Sequence, residues 1–107
     1  MSYTAETIIA LCNVNLRAVE RSIVILFGSG IVLDRKSSQW WESKGKYYAK
    51  WVMSGKHLTG MHLVNARKVC AWHSEQLARL ANSIVAAKAA QVETVIEAEE
   101  SIIPWNG

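Results

Sequence analysis

From position 61 to position 103 the chain contains neither glycine nor proline. Those two residues are the strongest breakers of regular structure, so a helix is the default conformation of this stretch. Within it Leu63, Ala66, Cys70, His73, Leu77, Leu80, Ile84 and Ala87 follow a 3-4-3-4 spacing that forms one seam on one helix face. Thr59 is the natural N-cap. Unbroken to Glu99, the helix would run roughly 60 Å at 1.5 Å per residue, more than the width of a small compact domain. Either it kinks, with Asn82-Ser83 as the expected point, or it projects and finds a partner. The second outcome predicts a homodimer through the 63–87 seam.

The rest of the chain is also helical in pattern. Thr4 caps a first helix carrying Ile8, Leu11 and Cys12. Asn13-Val14-Asn15 reads as a break, and Asn15 caps a second helix striped by Leu16, Val19, Ile23, Leu26 and Phe27. Arg17, Glu20 and Arg21 fall on its other faces. Gly28 ends it. Residues 22–27 are apolar all round, which puts this helix at the centre of the core. Ile31-Val32-Leu33 is either a short strand or an apolar loop. Residues 34–46 read as polar and irregular, with Trp40-Trp41 embedded. A short helix over 46–53 carries Tyr48, Trp51 and Val52 and stops at Gly55. The expected fold is a single mostly α domain over 1–107. It is a small bundle of about four helices with a long C-terminal helix, an irregular basic and aromatic segment at 30–46, and a flexible tail at 100–107.

Composition narrows the function classes. With 107 residues the chain can build one modest core, and a single proline with six glycines argues against a turn-rich β-sandwich. The most apolar window, 23–33, is broken by Gly28 and Gly30, far short of the ~20 residues a membrane span needs. No basic segment opens the chain, so no signal peptide and no membrane partner are expected. Cys12 and Cys70 read as free buried thiols, with one disulfide the alternative. Net charge is +3, but it is unevenly spread. Nine Lys/Arg against two Glu over 35–79 give +7, Lys88 against four Glu over 80–107 gives −3, and 1–34 gives −1.

The basic, aromatic middle is the main candidate site. Trp40, Trp41, Tyr47, Tyr48 and Trp51 lie among Arg35, Lys36, Lys44, Lys46, Lys50 and Lys56. Lysines neutralise phosphates and rings stack on unpaired bases. The same residue types also make protein–protein hot spots. The structural alternative is that Tyr48 and Trp51 are core and the lysines a solvated rim. Helix 46–54, turn 55–58 and the helix after Thr59 form a helix–turn–helix-like unit. A groove-reading version would present Met61, His62, Asn65 and Lys68 to base edges. Helix pairs with short turns are equally common as packing units.

Other chemistries lack their parts. Cys70 and His73 are i, i+3, but His62 lies ~16 Å further along the helix, too far to complete a zinc site. Gly55-Lys56 is followed by His57 rather than Ser or Thr, so there is no phosphate loop. Gly28-Ser29-Gly30 follows a helix, not a strand, and is no dinucleotide fingerprint. One Asp serves the whole chain, and no nucleophile has an evident base and orienting partner. The expectation is a non-enzyme with no cofactor and no metal.

One stretch resembles a group of small bacteriophage proteins. The matching residues are Ala18-Val19-Glu20-Arg21 with Ile23-Val24, Ser54-Gly55-Lys56 with Leu58, Ala66-Arg67-Lys68, and Gln76-Leu77 with Ala81-Asn82. They span 15–82, about two-thirds of the chain. Other members carry a Gln-Thr-Ala-Asp-Glu-Gln-like segment and a glycine-rich loop mid-chain, where this chain has Trp40-Trp41 between Gly28 and Gly45. The resemblance implies a phage or mobile-element origin and no particular activity. Together these readings point to a phage-type accessory protein in the cytoplasm of an infected bacterial host. It would bind a host protein or nucleoprotein complex, as an anti-defence (anti-CRISPR-like) or host-takeover inhibitor. The alternative is a small basic DNA- or RNA-binding protein using the helix–turn–helix-like unit and the patch.

Overall fold

A computed structural model describes residues 2–90 and contains five helices. They are α1 (Ala5–Val14), α2 (Leu16–Gly28), α3 (Gln39–Met53), α4 (Gly60–Trp72) and α5 (Ser74–Ala90). No strand occurs among the described residues. The acidic run Glu93, Glu97, Glu99 and Glu100, the stretch 91–99 of the expected long helix, and the 100–107 tail lie outside them.

The first two caps follow the sequence. Thr4 and Thr7 form a reciprocal capping box: Thr7 N–H donates to Thr4 Oγ1 at 3.2 Å, and Thr4 N–H donates to Thr7 Oγ1 at 2.7 Å. Asn15 closes α1 and opens α2, its Oδ1 accepting from Ala18 N–H at 3.1 Å. Helix α2 is the centre of the bundle, packed by α1, α3 and α4. Its residues Ala18, Val19, Ser22, Ile23 and Leu26 are buried.

Residues 31–33 form a loop with the alternation of a strand. Ile31 and Leu33 pack toward the core while Val32 is exposed. Among the described residues, the partner that their backbone finds is a side chain. Gln76 of α5 donates from Nε2 to Val32 O at 2.8 Å and accepts from Asp34 N–H at 2.8 Å. One amide replaces a neighbouring strand, so no sheet forms, and the Asp34–Arg79 ion pair reinforces the clasp.

Helix α3 starts at Gln39, well before the 46–53 segment read from the sequence. Ser38 accepts from Trp41 N–H at 3.4 Å and Glu42 lies in the first turn, a regular start signal hidden in a polar stretch. Gly45 is therefore a helical residue rather than a loop residue. A Cβ there would lie 2.4 Å from the Phe27 ring, so the glycine sets how closely α2 and α3 approach.

The seam from Leu63 onward is real but divided. The expected continuous helix breaks at His73, not at Asn82-Ser83. His73 N–H still donates to Val69 O at 3.1 Å, and Leu77 N–H donates to His73 O at 3.0 Å. Asn82 stays helical because its amide has another task. It donates from Nδ2 to Tyr3 O at 3.0 Å and accepts from Tyr3 N–H at 2.7 Å. Ala66, Cys70, His73 and Leu77 are buried, with α1 and α2 covering α4 and α1 covering α5. From 66 to 77 the seam is thus consumed by the chain's own core, and the free apolar face that motivated a dimer through 63–87 is absent there.

Glu20 falls off the apolar stripe of α2, yet it is buried, 6 % exposed. Its Oε2 accepts from Leu58 N–H at 2.9 Å, and the carboxylate lies 3.1 and 3.2 Å from His57 Nδ1. Leu58 is the buried plug of the α3–α4 turn. We predict that Glu20→Ala, by leaving the Leu58 N–H without an acceptor, lowers stability by about 1–3 kcal/mol in urea unfolding.

Candidate functional site

Two registers of the same spacing carry the surface chemistry. On α3 these are Trp40, Lys44, Tyr47 and Trp51; on α4, Met61, Asn65, Lys68 and Trp72. Both are i, i+4, i+7, i+11, one stripe along a helix. The two helices run antiparallel. Tyr47, Tyr48 and Trp51 near the end of α3 meet His62 at the start of α4, with ring centroids 5.4–6.4 Å apart. At the other end Trp41 shares a cavity with Lys68, Val69 and Trp72.

The stripe is aromatic, cationic and open. Trp40 is 54 % exposed, Tyr47 47 %, Met61 67 % and Trp72 43 %. Lys44 Nζ sits 5.4 Å from the Trp40 ring centroid and Lys56 Nζ 4.3 Å from that of Trp51. The Arg35 guanidinium lies 3.6 Å over Trp72 and donates from Nη1 to Trp72 O at 3.3 Å. Such cation–ring stacking holds long side chains against the surface. Neither register contains an acidic residue.

The structure divides the residues singled out from the sequence. It holds Lys44 by Trp40, Lys56 by Trp51, Arg35 over Trp72 and His62 by Tyr47, bonds Asn65 to Tyr48, and sets Lys68 with Trp72 on one cavity. Lys46 and Lys50 are exposed, but the helical period turns them about 90–130° from the α3 stripe. Lys36 is exposed on the loop before α3. Trp41 faces inward and packs on the core, meeting Trp40 edge to face at 4.8 Å. Tyr48 is fully buried, its hydroxyl accepting from Asn65 Nδ2 at 3.2 Å. Trp51 donates from Nε1 to His57 O at 3.0 Å. So two of the four expected base readers, His62 and Asn65, engage α3, while Met61 and Lys68 are exposed.

The cavity between the start of α3 and the end of α4 encloses about 410 Å³, lined by Ser37, Ser38, Trp41, Lys68, Val69, Trp72 and His73. Among the described residues, the buried side-chain polar atoms without a hydrogen-bond partner are Ser37 Oγ and His73 Nδ1. Both residues line this cavity, but the two atoms themselves are closed off from it. Buried polar atoms are normally paired, and leaving one unpaired costs roughly 1–3 kcal/mol. Sequence reading missed Trp72, Ser37 and this role of His73. Trp72 had a signal, since it completes the register begun at Met61. Ser37 had none.

Cys12 and Cys70 are free, buried thiols. The hydrogen bond with Cys70 holds the Cys12 thiol below its usual range, while that bond and burial push Cys70 well above it. Cys70 thus faces Cys12 and Val19 O, and His73 meets the edge of Phe27 instead. Among the described residues no three His, Cys, Asp or Glu side chains converge to hold a metal, and no helix is long and apolar enough to cross a membrane. No family model, curated protein or solved structure matches this chain.

Burial, and after it the nearby Arg35 charge, lowers the pKa of His73 below the usual 6.5, with Glu42 opposing. The unfolded chain therefore takes up a proton first as pH falls. The stability contributed by neutral His73 is present above about pH 6.5 and is lost as pH drops toward the folded pKa. We predict that the melting temperature declines in this window and that His73→Gln flattens the decline.

Proposed function

We propose that this chain is a non-enzymatic binding protein whose α3–α4 face docks on a protein partner. The observation that carries this reading is the open aromatic stripe, with Trp40, Tyr47, Met61 and Trp72 in two matching registers flanked by cations. Large rings ordered on rigid helices lose little entropy on binding and bury much area, which is how a few residues come to dominate an interface. The resemblance to small bacteriophage proteins supports a host target, in the cytoplasm of an infected bacterium, and an anti-defence or takeover role. The basic rim adds that the partner surface is acidic.

Nucleic-acid binding is the second reading, favoured by Arg35, Lys44 and Lys56 lying against the rings of Trp72, Trp40 and Trp51. Groove reading in the helix–turn–helix manner has less support, because His62 and Asn65 are occupied against α3.

Capture from bacterial lysate, with and without nuclease, tests the choice. We predict a partner that survives nuclease. Trp40→Ala or Tyr47→Ala each costs about 2 kcal/mol or more of binding, roughly thirtyfold. The double change Lys46→Ala, Lys50→Ala mainly slows association. Binding that vanishes with nuclease, and falls steeply with salt through the lysines, transfers the function to nucleic acid.

A further inference from the structure

Cys12 on α1 and Cys70 on α4 are far apart in sequence and meet in the core, 2 % and 0 % exposed. The two thiols share a hydrogen bond. Helix α2 backs both of them. Ser22 Oγ lies 4.0 Å from Cys12 Sγ, and Val19 O, one turn earlier, accepts from Cys70 Sγ at 4.0 Å. Packing alone accounts for a small apolar side chain at each position. It does not account for two sulfurs turned toward one another.

The pair is asymmetric. The Cys70 hydrogen bond, then Ser22 and the Arg67 charge, hold the Cys12 thiol below its usual range against the effect of burial. Arg67 is fixed there by donating from Nε to Cys12 O at 3.1 Å. Cys70 lies deeper, and both its bond to Cys12 and its burial oppose ionisation. The thiolate, not the thiol, is the nucleophile, so Cys12 reacts first and Cys70 second. Access also favours Cys12. It stands in the last turn of α1, which ends at Val14, itself 83 % exposed. A helix end of this kind opens locally at far lower cost than the core unfolds. Opening that turn brings Cys12 to a small oxidant while α4 keeps Cys70 in place.

We propose that Cys12 and Cys70 are a redox pair that a peroxide converts into a reversible disulfide stapling α1 to α4. The Cys12 thiolate attacks one oxygen of hydrogen peroxide, the O–O bond breaks, and hydroxide leaves, giving a sulfenic acid. Cys70 sulfur then attacks Cys12 sulfur, and its proton departs with the expelled hydroxide as water. Two thiols and one hydrogen peroxide thus give one disulfide and two waters, a two-electron oxidation. The proposal does not depend on the partner-docking reading, because both sulfurs lie on the side of α4 turned to α1 and α2.

The test treats the reduced, folded full chain with hydrogen peroxide, blocks remaining thiols, and maps tryptic peptides without reductant. The expected product is peptide 1–17 joined to peptide 69–79, in a chain that stays monomeric on a non-reducing gel and returns both thiols on treatment with dithiothreitol. The linked chain melts about 10 °C or more above the reduced one, because the staple closes most of the domain into one loop. Cys70→Ser stops at a Cys12 sulfenic acid that dimedone traps. Cys12→Ser leaves Cys70 at least tenfold slower to react. The wild-type map stands whether or not these variants fold. The proposal is overturned if both thiols survive while exposed Met61 is oxidised, if the disulfide joins two chains, if the linked peptides form only in denaturant, or if the linked chain melts no higher than the reduced one.

Discussion

The Glu20 carboxylate fixes the arrangement on which the surface depends. It sits on the central helix, buried, and reaches the turn between α3 and α4 through Leu58 N–H and His57. A carboxylate out of water is costly unless its oxygens are occupied, so it tolerates only a turn that brings donors to it. That requirement pins the turn to α2, and the turn sets α3 and α4 antiparallel. Gly45 then lets α3 close on Phe27 without a Cβ in the way. The aromatic registers share a face because an internal polar contact holds their connecting turn in place.

Much of the helical framework could be read from the chain. Thr4, Asn15 and the stripe of α2 behave as their residue types dictate, because caps and apolar periodicity are local signals. The errors came where a polar residue served a distant backbone. Gln76 and Asn82 look like ordinary helix-surface amides, yet each makes a two-point clasp on extended chain, at 32–34 and at Tyr3. Nothing local distinguishes such an amide from a solvated one. Asn82 reads as a kink for the same reason, and Glu20 as a residue off the apolar stripe. The candidate site was legible by composition but not by direction. Trp40 and Trp41 are adjacent in sequence, and a helix turns neighbours by about 100°. One lies on the open stripe and the other in the cavity wall. Reading 34–46 as irregular removed the period that separates them. The same period moves Lys46 and Lys50 off the stripe.

The break at His73 is where fold and site meet. A continuous helix would keep a few backbone hydrogen bonds, each worth about 0.5–1.5 kcal/mol net. The bend at His73 goes with burial of Leu77, Ala78 and Ala81, and a fully buried leucine alone is worth about 1.5–3 kcal/mol. With Gln76 and Asn82 each completing a clasp, the balance favours the break. The break also frees the carbonyls that end α4, and Arg35 takes one of them at Trp72 O. A guanidinium at a helix C-terminus meets the negative end of the helix dipole, so the same contact that satisfies Trp72 O also holds the cation over the Trp72 ring. Arg35 is thereby fixed beside the cavity, and His73, the residue at the break, lines it with its Nδ1 closed off. The cationic rim, the indole wall and the unpaired imidazole all follow from where the chain gives up its helix.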